Sequence, residues 1–177
     1  MGKKVCVDSN VLGWFIKGYA SNGQEGYILK ARLLFKKYFE EQVIIFVPSI
    51  VIAEVIKDVI DPNKRDEILT FISENFEVGS FDIICSAEYA TLFNEMSEKS
   101  FSTYRDENNV PKWKMKEDWM IAVEAKVNNC TEIITHNKRD FKNFIGDYVP
   151  VYDLDDATIN LTTMESLFGE EDEEIKK

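Results

Sequence analysis

The stretch VCVDSNVL, residues 5–12, decides the fold of this 177-residue chain. Its three leading apolar residues predict a short buried strand, and Ser9 with Asn10 can cap a helix that follows at once. Asp8 stands at the junction between the two elements. For a lone aspartate after a strand, a helix cap is the simpler interpretation, and membership of a functional site is the alternative.

The same succession of strand, turn and helix continues along the chain. Alternating strands and helices predict an α/β fold of three layers, Rossmann-like, with a central, mostly parallel sheet of about five strands and helices on both faces. Apolar runs predict strands, and apolar residues at helical spacing predict helices. The predicted strands are 4–8, 43–47, 76–81, 133–135 and 148–152, and the helices start near 11, 28, 49, 62, 82, 118, 139 and 157.

Composition predicts one domain over residues 1–168, with an insertion at about 100–116 and an acidic tail at 169–177. The chain is 45% hydrophobic, and none of its apolar stretches approaches membrane-spanning length, so we expect no membrane partner. Three scattered cysteines without metal-ligand spacing favour a reducing cytoplasm. A net charge of −11 argues against a nucleic-acid partner, but five consecutive acids in the tail contribute to it.

Three carboxylates lie in or beside apolar segments. Asp8 closes the first strand, Glu54 lies within the run 50–56, and Asp118 opens a nearly all-apolar helix. A parallel sheet brings the carboxyl ends of its strands to one edge, where these acids and Asp140 would meet. Their repulsion would raise their pKa values unless a divalent cation neutralised them. The alternatives are a solvent-facing Glu54 and an Asp118 that only complements a helix dipole.

Several motifs in this sequence resemble those of PIN-domain nucleases, and among them the VapC-type toxins. VCVDSNVLGWF is similar to the first motif and VPSIVIAEV to the second. EDWMIAVEAKVNNCTEIITHNKRDF resembles the third and fourth. Each motif alone is weak, but together they occur in order and at compatible spacing as far as about Asp153. The resemblance implies a PIN-like fold and cleavage of RNA phosphodiester bonds with Mg²⁺ or Mn²⁺.

By the same resemblance, Asp8, Glu54 and Asp118 would be catalytic metal ligands. The fourth acid lies in some members at the position of Asp140 and in others at that of Asn137. Asp140 takes the role by default, with Asn137 as a substrate contact. Because an asparagine is neutral and would bind a second metal less strongly, one-metal and two-metal chemistry both stay open.

Further substrate contacts are predicted around these acids. Asn10 would orient the first carboxylate or a bound water, and Thr135 would hold a fourth-motif residue or a metal-bound water. The run KWKMK, with Lys112, Trp113 and Lys114, combines positive charge with a ring that can stack on a base. An exposed loop with one packed ring explains that run equally well. His136, the only histidine, is a candidate base but more often would be an exposed turn residue.

The resemblance also implies partners: an RNA substrate, and an antitoxin peptide or a second copy of the chain against the apolar early helices near Trp14 and Phe15. A haloacid-dehalogenase-like phosphatase would need a second aspartate where Asn10 stands, so that class is excluded. This chain lacks the acids that a response-regulator receiver or a flap-type DNA nuclease would need. The remaining alternatives are a non-catalytic PIN-like module that binds RNA or protein, and a housekeeping RNA-processing nuclease.

Overall fold

The central sheet has five parallel strands in the order β3-β2-β1-β4-β5. The structure is a computed structural model that describes residues 2–95 and 112–158, the side chains of 112–115 excepted. Most of the predicted insertion and the acidic tail lie outside these ranges. The strands are β1 Lys4–Val7, β2 Ile44–Val47, β3 Glu77–Val78, β4 Glu132–Thr135 and β5 Val151–Asp153.

Helices connect the strands, as the alternating pattern predicts. They are α1 Ser9–Lys17, α2 Gly26–Glu40, α3 Ser49–Ile56, α4 Pro62–Asn75, α5 Ile83–Glu95, α6 Lys112–Val127 and α7 Lys138–Ile145, with residues 154–158 also helical. The rest of the predicted closing helix lies outside the described residues. Among the helices described, none is long and apolar enough to cross a bilayer.

The core is centred on β1, the middle strand. Its residues Val5, Cys6 and Val7 are fully buried, as are Ile133 and Ile134 on the neighbouring strand β4. Helices α1, α2 and α3 pack together as one group, and α5, α6 and α7 as another. A strand buried on both faces is apolar throughout rather than alternating, which is why the run Val5–Val7 predicts this position.

The structure corrects several predicted boundaries, among them that of β3, which spans Glu77–Val78 rather than 76–81. Helix α6 begins at Lys112 rather than at Asp118, because straight-chain residues without an apolar stripe still favour a helix, so Lys112–Lys114 belong to a helix and not a loop. Strand β5 begins at Val151 because the backbone N–H groups of Tyr148 and Val149 donate to the carbonyl oxygen of Ile145 and prolong the turn after α7.

Two helix caps are also defined. Asp8 occupies the N-cap of α1, as the simpler interpretation of a lone aspartate after a strand predicts, and its own carboxylate accepts from the Ser9 N–H. Ser9 and Asn10, the other predicted caps, are instead the first residues of that helix. Helix α3 begins at Ser49, and Pro48 takes its cap position without a side-chain hydrogen bond.

Candidate active site

The candidate site lies where the strand order changes direction. The chain runs from β1 to β2 on one side of the sheet, and later adds β4 on the other side of β1. Parallel sheets bind ligands in the crevice that opens at this point, at the carboxyl ends of the strands. A cleft of about 520 Å³ lies there, and the predicted site residues that line it are Asp8, Asn10, Glu54, Asp118 and Asn137.

Asp8 is held rigidly at the end of β1. Its Oδ1 accepts hydrogen bonds from the Ser9 backbone N–H at 2.6 Å and from the Ser9 hydroxyl at 3.3 Å, and its Oδ2 accepts one from the Thr135 hydroxyl at 2.8 Å. Each carboxylate oxygen has two lone-pair sites, so Oδ2 keeps one for a further partner. Asp8 is therefore the cap of α1, and its carboxylate is also held in place at the cleft, where an oxygen could bind a cation.

Burial raises the pKa of the Asp8 carboxyl above its ordinary value, and the negative charge of Glu54 raises it further. The hydrogen bonds from Thr135 and Ser9 lower it in part. The Coulombic effect of Glu54 shows that the acids of β1 and α3 are close enough to repel each other. A bound cation would reverse this balance because it would favour both ionised carboxylates.

Thr135 links the ends of two strands through its hydroxyl. The group donates to Asp8 and accepts from the backbone N–H of Asn137 at 2.8 Å, so both lie in a fixed relation. The hydroxyl is fully buried. We predicted that Thr135 would hold a fourth-motif residue or a water; in the structure it holds the first acid and the backbone of Asn137.

Asp140 and Asn137 have different positions. Asn137 lines the cleft, whereas Asp140 does not, and the Asn137 side-chain amide donates to Asp140 Oδ2. Asp140 is buried, with the Arg139 guanidinium 3.8 Å from its Oδ1. In this arrangement Asp140 orients Asn137, and it would reach a shared cation only if that amide moved aside.

Glu54 and Asp118 complete the acidic wall. Glu54 is half-buried on α3, and Asp118 is buried on α6. Together with Asp8 they bring carboxylates from three elements to one cleft. Within the described part of the chain, however, no three acidic, histidine or cysteine side chains are close enough to hold one metal ion. The three carboxylates would have to approach one another to share a cation.

The chemistry of this donor set fits Mg²⁺ or Mn²⁺. Such ions prefer carboxylate and amide oxygens, which Asp8, Glu54, Asp118 and Asn137 supply. The cysteines are buried elsewhere: Cys6 lies within β1, and Cys85 and Cys130 do not line the cleft.

His136 does not line the cleft and is not an exposed turn residue. Its ring packs against Tyr27, with centroids 4.4 Å apart, and against Trp14 at 5.3 Å. Its Nδ1 is buried without a hydrogen-bond partner among the described residues. The histidine therefore supports the wall behind the cleft, and the expectation that it is more often exposed is wrong here.

The structure adds residues to the cleft that sequence analysis missed. The described lining includes Asp58, Lys57, Lys17, Tyr19 and Gln24. No sequence pattern marks the last three, which lie at or after the end of α1, where Gly18 ends the helix in a left-handed conformation. Lys112, Trp113 and Lys114 lie on the first turn of α6, and their side chains are outside the described ranges.

Solved structures share this architecture. Similar chains occur in VapBC2 from Rickettsia felis bound to a DNA fragment from their promoter (20% identity, TM-score 0.53, covering 85% of this chain and 98% of that chain). They also occur in DNA-bound VapBC from Salmonella typhimurium (18%, 0.58, 87% and 99%) and in VapBC-1 from nontypeable Haemophilus influenzae (16%, 0.56, 85% and 98%). No family model and no curated protein matches the chain.

These likenesses confirm the predicted fold. The chain is an α/β protein with a PIN-like fold built on a five-stranded parallel sheet. Within that class it is similar to chains of VapBC complexes over most of both lengths.

Proposed function

We propose that this chain is a metal-dependent endoribonuclease that acts as the toxin of a toxin-antitoxin pair. The observation that carries the proposal is the arrival of Asp8, Glu54 and Asp118 from three separate elements at one cleft. The cleft lies at the carboxyl edge of a parallel sheet, where this class of fold binds ligands. Buried acids that share a cleft and repel each other are typical of a cation site.

Charge explains why a cation is needed. Four acids and two lysines line the described cleft, so it is net negative and would repel a phosphate. Bound Mg²⁺ or Mn²⁺ would offset that charge, lower the pKa of a bound water and stabilise charge on the phosphate. Asp8, Glu54 and Asp118 would hold it, and Asp140 would serve as the fourth acid through its contact with Asn137.

The chain's own side chains have distinct tasks in this proposal. Thr135 keeps the Asp8 carboxylate turned towards the cleft, and Asn137, oriented by Asp140, presents its amide to the substrate. Asn10 is exposed at the cleft, where it can orient a bound water. Lys112, Trp113 and Lys114, which begin α6, stay predicted RNA contacts.

The proposed partner is an antitoxin protein, because the similar chains come from VapBC complexes. The proposed location is the cytoplasm, where such a pair and its RNA would meet. A homodimer stays a prediction.

The second candidate function is a non-catalytic PIN-like module. It is favoured by the distances between the acids of the described residues, which are too long for three of them to hold one metal ion.

Cleavage of a mixed RNA pool tests the proposal. We expect the wild type to cut RNA with Mn²⁺ or Mg²⁺, and EDTA and Asp8→Asn to abolish cutting. Asp66→Asn removes an exposed acid on α4, outside the cleft, and should cut as the wild type does. Cutting that is absent from the wild type, or equal in wild type and Asp8→Asn, would refute the nuclease proposal and favour the binding module.

Expression in a bacterial host tests the toxin role separately. If the chain is a toxin, expression of the wild type should arrest growth, and expression of Asp8→Asn should not. An RNA-cutting wild type that leaves growth unchanged would instead indicate a housekeeping nuclease.

A further inference from the structure

The wall of the cleft at the end of α1 differs in chemistry from the acidic wall. Lys17, Tyr19 and Gln24 line it, and Trp14 lies beside them. The Tyr19 side chain is 58% exposed, and the Lys17 ammonium lies 5.3 Å from the centroid of its ring. An exposed ring beside a cation offers a stacking surface and a phosphate contact in one place.

This wall is fixed from behind. Helix α1 ends at Gly18, which has φ +65° and donates its N–H to the Trp14 carbonyl oxygen. Any other side chain would be strained at this positive φ, so the tight turn favours a glycine. The Trp14 ring stacks on Tyr27, with centroids 4.7 Å apart and planes 14° from parallel. The support is packed while Tyr19 stays accessible.

We propose that this wall binds one unpaired nucleotide of single-stranded RNA, with its base stacked on Tyr19 and its phosphate paired with Lys17. This inference rests on the proposed function, because a phosphate held at the acidic wall would extend its neighbouring nucleotide across the same cleft. The cleft volume of about 520 Å³ lies within the range of small-ligand sites.

The chemistry selects single strands over duplexes. A base inside a helix is already stacked on both faces, whereas an unpaired base can place a face on a protein ring. Because every base has such a face, Tyr19 would give preference for unpaired RNA with little sequence preference. Tyr19 and Lys17 are therefore the residues that would give this cleft its preference for an unpaired nucleotide.

Binding measurements in the Asp8→Asn background test the subsite without cleavage. The probe is a fluorescein-labelled, unstructured RNA of about 12 nucleotides, compared with a blunt-ended duplex of the same length, which offers no unpaired base. We expect Tyr19→Ala to weaken binding of the unstructured RNA about 10-fold, and Tyr19→Phe to stay within about 2-fold. Tyr152→Ala removes an exposed tyrosine of β5 outside the cleft and should bind as the parent does.

The salt dependence of binding tests the lysine. Lys17→Ala should reduce the slope of log affinity against log salt by about 0.7, the value for one phosphate contact on a single strand. Lys36→Ala, an exposed lysine on α2, should leave the slope unchanged. All variants are checked by thermal unfolding, and Tyr19→Leu, which removes the ring but keeps an apolar side chain, replaces Tyr19→Ala if the alanine variant loses stability.

The outcomes separate the subsite from the nuclease. Equal binding by Tyr19→Ala and Tyr152→Ala, or equal binding of duplex and unstructured RNA, overturns the subsite. If the wild type cuts RNA and Tyr19→Ala keeps the same affinity and KM, the nuclease stands and the subsite falls. If the wild type cuts nothing and binding still depends on Tyr19, the subsite stands and the nuclease falls.

Discussion

Two buried acids, Asp8 at the end of β1 and Glu124 on α6, have opposite surroundings. Both are nearly inaccessible, at 3% and 0% exposure. Asp8 accepts three hydrogen bonds and faces the cleft. Neither carboxyl oxygen of Glu124 has a hydrogen-bond partner among the described residues, and Glu124 does not line the cleft. Burial alone therefore does not distinguish a candidate ligand from an enclosed acid; Asp8 differs from Glu124 in its hydrogen bonds and in its position at the cleft.

Burial raises the pKa of Glu124 to about 7. The Ser49 backbone N–H is near enough to lower it in part, although it makes no hydrogen bond of normal geometry to the carboxyl, and the charge of Asp82 raises it. Asp118 lies six residues earlier on the same helix, which is about 240° around its axis, so the two acids face different parts of the molecule. One faces the cleft and the other is enclosed near Gly79 and Phe46. The contrast predicts a functional acid and a destabilising one on a single helix.

The largest expected effect separates these two acids by activity. Asp118→Asn should lower RNA cleavage more than about 100-fold, beyond the roughly 10–100-fold loss typical of residues that only support a metal ligand. Glu124→Gln should cleave within about 3-fold of the wild type, since the residue lies outside the cleft. Initial rates on one labelled RNA at neutral pH measure both. Similar losses in the two variants would remove the distinction between the acids.

The next prediction concerns the hydrogen bond from Thr135 that orients Asp8. Thr135→Val keeps the shape of a fully buried side chain but removes the hydroxyl that donates to Asp8 and accepts from Asn137. We expect cleavage to fall about 10–100-fold and KM to change little. Thr135→Ser restores the hydroxyl and should recover most of the rate. A valine variant that cuts at the wild-type rate would show that Asp8 needs no such partner.

The sequence predicts most of the fold because short stretches of residues define most of its strands and helices. The run Val5–Val7 is apolar on both faces, and Pro62 marks the first residue of α4 as predicted. The same logic brings Asp8, Glu54 and Asp118 to one edge, since strand ends of a parallel sheet share it. The prediction is wrong where contacts within the folded chain decide the structure. At β5, for example, the predicted first residues Tyr148 and Val149 prolong the turn after α7.

Glu124 could not have been found in this way. In a nearly apolar helix, one acid at helical spacing resembles a solvent-facing position. Only the fold shows that Phe46 on β2 and Gly79 after β3 enclose it. Lys17 and Tyr19 were equally hidden, because their place in the cleft depends on the turn at Gly18 and not on any motif. The sequence also does not show that Asn137 lines the cleft while Asp140 lies outside it and accepts a hydrogen bond from the Asn137 amide.

Crowding around Glu124 gives the third prediction. A Cβ at Gly79 would lie 2.7 Å from Glu124 Oε2 and overlap the Phe46 ring, so Gly79→Ala should lower the free energy of unfolding by about 1–3 kcal/mol. Urea unfolding measures the change. Gly26→Ala, at the open start of α2, has nothing within 4 Å and should be neutral or slightly stabilising. Equal stability of the two variants would mean that the space around Glu124 is not closed.

The last expected effect concerns the proton on Glu124, whose folded pKa of about 7 exceeds its ordinary 4.5. Between these values the folded protein keeps a proton that the unfolded chain has lost, so stability falls as pH rises through this window and stays lower above it. Glu124→Gln removes the titration. We expect its stability relative to wild type to increase by up to about 3 kcal/mol from about pH 4 to pH 8.

Urea unfolding at several pH values measures this difference, and the slope with pH decides it rather than the level. An amide in place of the acid shifts stability by an amount that is the same at every pH, because glutamine does not titrate. The raised pKa of Asp8 contributes to both proteins alike and cancels in the comparison. Parallel curves for the two proteins would therefore show that folding does not raise the pKa of Glu124.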